Sequence, residues 1–149
     1  MPTTYSNLLF HIVFSTKERR KFLSGDLRER LYPYLSGIAN KNDFKILIVG
    51  GTNDHIHILL SLKPDTSVSK AVQLVKGGSS KWIHDNFPAL NTFSWQEGYG
   101  AFTVSVSQID KIKNYIANQE GHHKKMNFEE EYVELLKRNK IDFNPEYLF

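Results

Sequence analysis

The sequence of 149 residues contains no cysteine, no internal repeat and no long hydrophobic run. Without cysteine the chain can form neither disulfide bonds nor thiolate metal sites, which fits a reducing cytoplasm. The longest apolar stretches have only the length of a strand, so we expect no membrane-spanning segment. Residues 1–7 contain neither a basic region nor an apolar segment, so we also expect no signal peptide.

The rest of the composition is that of a globular protein. Hydrophobic residues make up 40% and charged residues 23% of the chain, which excludes a largely disordered polypeptide. The length suffices for one domain with a proper core, and we expect a single domain over residues 1–149. A net charge of +3 and a pI near 9.0 favour a polyanionic partner only weakly.

Hydrophobic periodicity predicts the element order β-α-β-β-α-β, followed by further helices. The predicted strands cover residues 8–15, 44–50, 55–60, 92–96 and 101–106, and the predicted helices cover residues 26–40, 68–87, 107–120 and 128–138. This order is typical of a ferredoxin-like α+β fold, an antiparallel sheet with helices on one face, here with an added C-terminal helix that carries Tyr115.

Two positions leave the predicted helices open to interpretation. Pro33 permits either a kink or a later start of the first helix. Gly77 and Gly78 lie in the middle of the second predicted helix, where each glycine costs about 0.5–1 kcal/mol relative to alanine. They indicate either a close approach of another backbone or a phosphate, or a boundary between two shorter helices.

Two histidines, His55 and His57, share one face of a predicted strand, and the apolar residues around them point to the other face. Two neighbouring imidazoles form half of a divalent-metal site, whereas the alternative is a pair of hydrogen-bonded histidines on a wet sheet face. His11 in the first strand would lie near the metal, as an outer contact or a DNA contact, if the two strands are neighbours. Otherwise it is a core histidine with one hydrogen bond.

Tyr115 and Gln119 are four residues apart, so they share one face of a predicted helix. The amide oxygen of Gln119 would add a ligand to a metal held by the two histidines. The phenol of Tyr115 would then be a nucleophile that needs the metal, because its ordinary pKa is near 10. A tyrosine followed by a polar residue four positions on is also common on ordinary helix surfaces, so this pair alone leaves a structural role open.

These residues stand in motifs that resemble those of the HUH endonucleases, and in particular the single-tyrosine transposases of bacterial and archaeal insertion sequences. Relatives that act as REP-associated tyrosine transposases are included in this resemblance. Five segments match in the family's order and cover most of the chain: 10–17, 51–57, 76–82, 95–102 and 115–123. Both histidines, the tyrosine and the glutamine of the motifs are present.

The resemblance implies a metal-dependent enzyme that cuts and rejoins single-stranded DNA at the ends of insertion sequences. Tyr115 would become linked to a 5′ phosphate, and His55, His57 and Gln119 would hold Mg²⁺ or Mn²⁺. It also implies recognition of DNA hairpins and a homodimer whose subunits share their active sites.

The resemblance also suggests DNA-binding residues. Phosphate contacts are expected from basic residues, namely Lys17, Arg19, Arg20, Lys76 and Lys81. Trp82, together with Tyr99 and Phe102, would stack on unpaired bases, unless these rings belong to the core. For His122 and His123 we favour contact with solvent or DNA over a second metal site.

The sequence leaves three other functions open. The first is a noncatalytic nucleic-acid-binding module, since ferredoxin-like sheets also recognise RNA. The second is a small metallohydrolase in which water, not Tyr115, is the nucleophile. The third is a domesticated relative that acts on repeated genomic palindromes.

Overall fold

In the computed structural model, which describes residues 3–148, four antiparallel strands form one sheet. The strands are β1 (Leu8–Ser15), β2 (Lys45–Gly51), β3 (His55–Leu62) and β4 (Gly100–Val104), arranged in the order β2-β3-β1-β4. Both neighbours of β1 run antiparallel to it, and its nearly continuous apolar sequence suits this central position. The ferredoxin-like order predicted from the sequence is confirmed.

In the described part of the chain, five α-helices accompany the sheet: α1 (Gly25–Lys41), α2 (Val68–Asn86), α3 (Ile109–Ala117), α4 (Gln119–His122) and α5 (Phe128–Arg138). The longer ones begin where the sequence offers a capping side chain. Ser24 accepts a hydrogen bond from the first turn of α1, Ser67 does so for α2, and Asn127 does so for α5. None of the helices in residues 3–148 is long and apolar enough to span a bilayer.

Two predicted elements differ from the structure. Residues 92–96 were predicted as a strand, which is wrong: the segment forms only an isolated bridge between Trp95 and Thr16. Beyond this bridge, the carbonyls of Gln96 and Gly98 accept hydrogen bonds from the ammonium of Lys76, both at 2.7 Å. The helix predicted at 107–120 is divided, since the backbone leaves helical geometry at Asn118 (φ −100°, ψ 23°).

The two open questions about the helices also have answers. Helix α2 runs without a break through Gly77 and Gly78, so a boundary between two helices is wrong. A Cβ atom at Gly78 would lie 2.8 Å from Cδ1 of Ile38, so the glycine allows α1 and α2 to pack closely. Helix α1 begins at Gly25 and contains Pro33 at an exposed position, so a later start of this helix is wrong.

The main core lies between one face of the sheet and helices α1 and α2. It is built from buried apolar residues of both layers, among them Ile12, Phe14, Ile56, Ile58, Leu60, Leu27, Leu31, Leu35, Val72, Val75 and Ile83. The opposite face carries the histidines and a smaller apolar cluster, which consists of Val13, Phe102, Phe128, Tyr132, Leu135 and Leu136. This smaller cluster packs α5 against β1 and β4 and so covers the histidine face.

Candidate active site

Strand β3 holds His55 and His57 on the sheet face opposite the main core, and both side chains are completely buried. Their ring centroids lie 5.1 Å apart. In the sheet register His57 faces Val13 of β1 on one side and Gly50 of β2 on the other. Because β3 is paired on both edges, the backbone fixes the spacing of the two imidazoles.

The Nδ1 atom of each histidine is already engaged. Nδ1 of His55 lies 2.8 Å from a carboxylate oxygen of Asp54 and 3.1 Å from the hydroxyl of Thr52. Nδ1 of His57 lies 2.8 Å from Nε2 of His11, so the predicted proximity of His11 is confirmed. The Nε2 atom of each ring is therefore the nitrogen left to bind a metal, an arrangement typical of histidines that bind metal through Nε2.

Helix α3 reaches the histidines because Gly50 leaves room for its backbone. A Cβ atom at Gly50 would lie 2.1 Å from the carbonyl oxygen of Ile116. Since Gly50 pairs with His57 across the sheet, the residue before Ile116 is brought to the histidine face. That residue is Tyr115, whose ring centroid lies 5.7 Å from that of His57 in the same chain.

Gln119, the first residue of α4, also reaches the site and is almost completely buried. Its amide oxygen lies 2.9 Å from Nε2 of His55. The structure thus brings together the four residues singled out in the sequence: His55, His57, Tyr115 and Gln119. Their roles as ligands and nucleophile stay predictions.

Glu131 of α5 is a member of the site that the sequence analysis missed. Its carboxylate is only 3% exposed, and Oε1 lies 3.1 Å from Nε2 of His57 and 3.4 Å from Nε2 of His55. On its other oxygen it accepts hydrogen bonds from the phenol of Tyr115 and from the amide nitrogen of Gln119. A signal was present, because Glu131 falls within the apolar stripe of α5, where a charged residue needs a buried partner.

Of the two contacts predicted for His123, the contact with solvent is wrong, and the contact with DNA stays a prediction. Its side chain is 11% exposed, and its Nε2 lies 2.9 Å from Oε1 of Glu131. The ring also lies 4.5 Å from that of His55, centroid to centroid. His122 is exposed, with its ring 4.8 Å from that of Tyr115.

Burial and hydrogen bonding give the three sheet histidines different proton affinities. Burial lowers the pKa of His57 to about 4, and burial together with the neighbouring charge of His57 lowers the pKa of His11 to about 3. Burial also disfavours a charged His55, but hydrogen bonds to Asp54, Glu131 and Gln119 outweigh it and raise the pKa to about 9. The site therefore favours a positive charge at His55 and neutral rings at the other two histidines.

The carboxylate and the phenol respond to each other. Burial alone would raise the pKa of Glu131, but hydrogen bonds from His123, His55 and His57 hold it far below its usual range. Burial, followed by the negative charge of Glu131, raises the pKa of the Tyr115 phenol well above its usual value. In this arrangement Tyr115 stays protonated and donates a hydrogen bond to the carboxylate.

The donor set fits a divalent cation. His55, His57 and Glu131 each offer one ligand atom, and these atoms lie within 4.8 Å of one another. Gln119 adds an amide oxygen beside Nε2 of His55. Imidazole nitrogens combined with carboxylate and amide oxygens suit several divalent ions, and a cation between them would balance the negative charge of Glu131.

Several of the residues predicted to bind DNA have partners within the protein. The ammonium of Lys76 donates hydrogen bonds to the backbone carbonyls of residues 96–98. Lys81 forms an ion pair with Asp85 at 2.7 Å. Arg19 contacts Glu129 of α5, and Arg20 lies 3.3 Å from Glu18.

Lys17 is exposed. Trp82 stacks on Tyr34 at 5.3 Å, whereas Phe102 is a core residue. The DNA contacts of Lys17, Arg19, Arg20, Lys76, Lys81 and Trp82 stay predictions.

The comparisons with known proteins agree on one family. Residues 4–119 match the family model described as Transposase IS200 like. The transposase of insertion sequence element IS200 from Salmonella typhimurium is 34% identical over 118 residues, which cover 76% of this chain and 77% of that protein.

Two solved structures are similar to this fold. The crystal structure of a candidate transposase from Deinococcus radiodurans R1 has a TM-score of 0.67 at 27% identity and covers 80% of this chain and 95% of that chain. A REP-associated tyrosine transposase bound to a REP hairpin has a TM-score of 0.57 at 16% identity, covering 78% of this chain and 68% of that chain. The second likeness concerns the fold alone.

Proposed function

Because the chain belongs to the IS200-like transposase family, we propose that it cuts and rejoins single-stranded DNA at insertion-sequence ends through a phosphotyrosine at Tyr115. The observation that carries this proposal is that Tyr115 lies 5.7 Å from His57 of the same chain, centroid to centroid, and contacts the same carboxylate, Glu131, as both buried histidines. A noncatalytic module has no need for a nucleophile in contact with a carboxylate and a potential metal site.

His55, His57 and Gln119, with Glu131 as a further oxygen donor, would hold the metal, which we propose to be Mg²⁺ or Mn²⁺. Asp54 and His11 would keep the two imidazoles oriented through their Nδ1 atoms. When bound, a divalent cation polarises the phosphate and stabilises the charge of the transition state.

Tyr115 supplies the covalent chemistry. Its phenol oxygen would attack the phosphorus, the bond from phosphorus to the 3′ oxygen would break, and the phenol proton would pass to the released 3′ oxygen. In the joining step a 3′ hydroxyl would attack the phosphotyrosine and restore the phenol. Retaining the phosphate on the protein conserves the bond for strand transfer instead of hydrolysis.

The proposed partner is single-stranded DNA with hairpin ends, and the proposed compartment is the cytoplasm, where such DNA would lie. The resemblance implies a homodimer with shared sites, whereas the contacts of Tyr115 support action on the histidines of its own chain. Mixing Tyr115→Phe with His57→Ala distinguishes the two, because only shared sites let the mixture regain activity.

A covalent-adduct assay tests the proposed function. The protein is incubated with Mn²⁺ and labelled single-stranded oligonucleotides that span the ends of its own DNA element, and adducts are separated in denaturant. We expect an adduct with the natural chain and none with Tyr115→Phe, because phenylalanine lacks the attacking oxygen. Hairpin binding by this variant should be unchanged.

Two results would point to other functions. If Tyr115→Phe still cuts the DNA, water is the nucleophile and the protein is a metallohydrolase. If the natural chain binds hairpins but neither cuts nor forms an adduct, it is a binding module.

A further inference from the structure

We propose that α5 is a lid over the active site and that the carboxylate of Glu131 occupies the position of the DNA phosphate when the lid is closed. This inference rests on the proposed function and adds a means by which the same site is regulated. Opening of the lid would exchange one anion, the carboxylate, for another, the phosphate.

The first support is that the site is closed to a DNA strand. His55 and His57 are completely buried, Gln119 is 1% exposed and Glu131 is 3% exposed. A phosphodiester with its flanking nucleotides cannot reach Nε2 of either histidine past these side chains. Helix α5 covers the histidine face through Phe128, Tyr132, Leu135 and Leu136, so DNA entry requires α5 to move.

The second support is the set of groups around the carboxylate. Tyr115 and Gln119 donate hydrogen bonds to Oε2, and the Nε2 atoms of His57 and His123 lie 3.1 and 2.9 Å from Oε1. These groups also suit phosphate oxygens. The phenol that should attack phosphorus instead donates to Glu131, so the closed form holds the nucleophile protonated.

The third support is how α5 is attached. The family match ends at residue 119, so α5 lies beyond the segment shared with the family model. A short connection, residues 123–127, separates α4 from α5. Besides its apolar contacts and the contacts of Glu131 within the site, α5 is tied to the turn after β1 by the ion pair of Glu129 with Arg19, a partly exposed contact of the kind that contributes little to stability.

Opening the lid would leave a complete site. His55 and His57 stay on β3, and Gln119 stays beside His55 because α4 does not depend on Glu131 for its backbone hydrogen bonds. Withdrawal of Glu131 would free the Tyr115 phenol and vacate one oxygen position for DNA. Glu131 would thus be a ligand of the resting protein and a competitor of the substrate.

Glu131→Gln tests this competition, because it keeps the size of the side chain and removes its charge. We expect weaker Mn²⁺ binding without DNA, measured calorimetrically, together with tighter oligonucleotide binding and about tenfold faster adduct formation at subsaturating DNA. Glu134→Gln, the same change at a partly exposed position of α5 outside the site, should alter none of these. Loss of the adduct in Glu131→Gln while Glu134→Gln keeps it would overturn the proposal, since Glu131 would then be needed throughout the reaction.

A lock tests the motion without altering Glu131. The cysteine-free chain allows two cysteines to be introduced at Arg19 and Glu129 and joined by a short bismaleimide. We expect at least about tenfold slower adduct formation after joining than before it. The matched control joins cysteines at Glu134 and Arg138, which both lie on α5 with an ion pair of 2.5 Å, and should leave the rate unchanged.

An unchanged rate in the locked protein would show that α5 need not move and would overturn the lid. Failure of the proposed function looks different, because the unlinked natural chain would then form no adduct at all.

Discussion

The two faces of the sheet differ in what they contribute. The face toward α1 and α2 is apolar, and it is filled by aliphatic and aromatic residues of both layers. The face toward α3, α4 and α5 contains three histidines, a glutamine and a carboxylate, all buried and in contact with one another. The first face stabilises the fold, and the second places unlike polar groups at fixed distances.

This separation follows from the alternation of side chains along β3. Ile56 and Ile58 face the main core, while His55 and His57 face the site, so neighbouring residues of one strand belong to different functions. Substitutions at adjacent positions should therefore have unlike consequences.

The largest effect is expected for His57→Ala on the site face. Loss of a direct ligand should weaken Mn²⁺ binding by more than about 100-fold, beyond the 10–100-fold typical of outer partners, and should abolish the adduct. Calorimetric titration and the denaturing gel measure the two losses. Retention of both metal binding and adduct by a folded His57→Ala protein would contradict the assignment.

Ile58→Ala, one residue further along β3, should affect the stability of the fold and not metal binding. Removing a fully buried aliphatic side chain should lower the free energy of unfolding by about 2–5 kcal/mol. Urea denaturation measures this loss. The affinity for Mn²⁺, measured well below the denaturation midpoint, should stay within about twofold of the natural value, because Ile58 points away from the site. A loss of affinity as large as that of His57→Ala would remove the distinction between the faces.

Gly50→Ala should separate α3 from the sheet. The added methyl group meets the carbonyl oxygen of Ile116, so we expect a loss of about 1–3 kcal/mol in stability and a reduced rate of adduct formation. Gly77→Ala is the control, since no atom lies within 4 Å of its Cβ position in α2. That change should stabilise the protein by about 0.5–1 kcal/mol. Equal adduct rates in the two variants would argue against docking through Gly50.

The most gradual effect is a dependence of stability on pH in EDTA. His55 has a folded pKa of about 9, above its ordinary 6.5, so its contribution is complete below pH 6.5 and is lost as the pH rises toward 9. His57 and His11 have lowered pKa values, about 4 and 3, so stability falls as the pH drops below 6.5. Denaturation at several pH values should give a maximum near 6.5, with slopes of at most about 1.4 kcal/mol per pH unit for each proton. A flat profile would contradict the assigned charges.

Much of this architecture could be predicted because the strands carry strong patterns. The alternation around His55 gave the correct faces, and hydrophobic periodicity placed the ends of α1 and α2 to within one residue. Residues 92–96 misled because their alternation of apolar and polar residues is that of a strand, whereas the segment pairs through a single bridge, Trp95 with Thr16, just beyond the end of β1. The carbonyls of Gln96 and Gly98 accept hydrogen bonds from Lys76, a long-range contact that secondary-structure propensities do not predict.

The site was predictable where its residues lie close together in the sequence, and not where they come from distant elements. His55 and His57 are two residues apart, and Tyr115 and Gln119 are four apart, so local geometry relates the members of each pair. Glu131 enters from another helix, within a run of three glutamates that looks like a solvated first turn. Only the docking of α5 through its apolar stripe decides which of the three is buried.

The most direct test of the central claim is to identify the residue that carries DNA. The adduct formed with Mn²⁺ would be digested with trypsin and nuclease, and the modified peptide would be sequenced by mass spectrometry. The proposed chemistry requires a 5′-nucleotide phosphate on the phenol oxygen of Tyr115. DNA attached to another residue, or cut strands with no modified peptide, would contradict it.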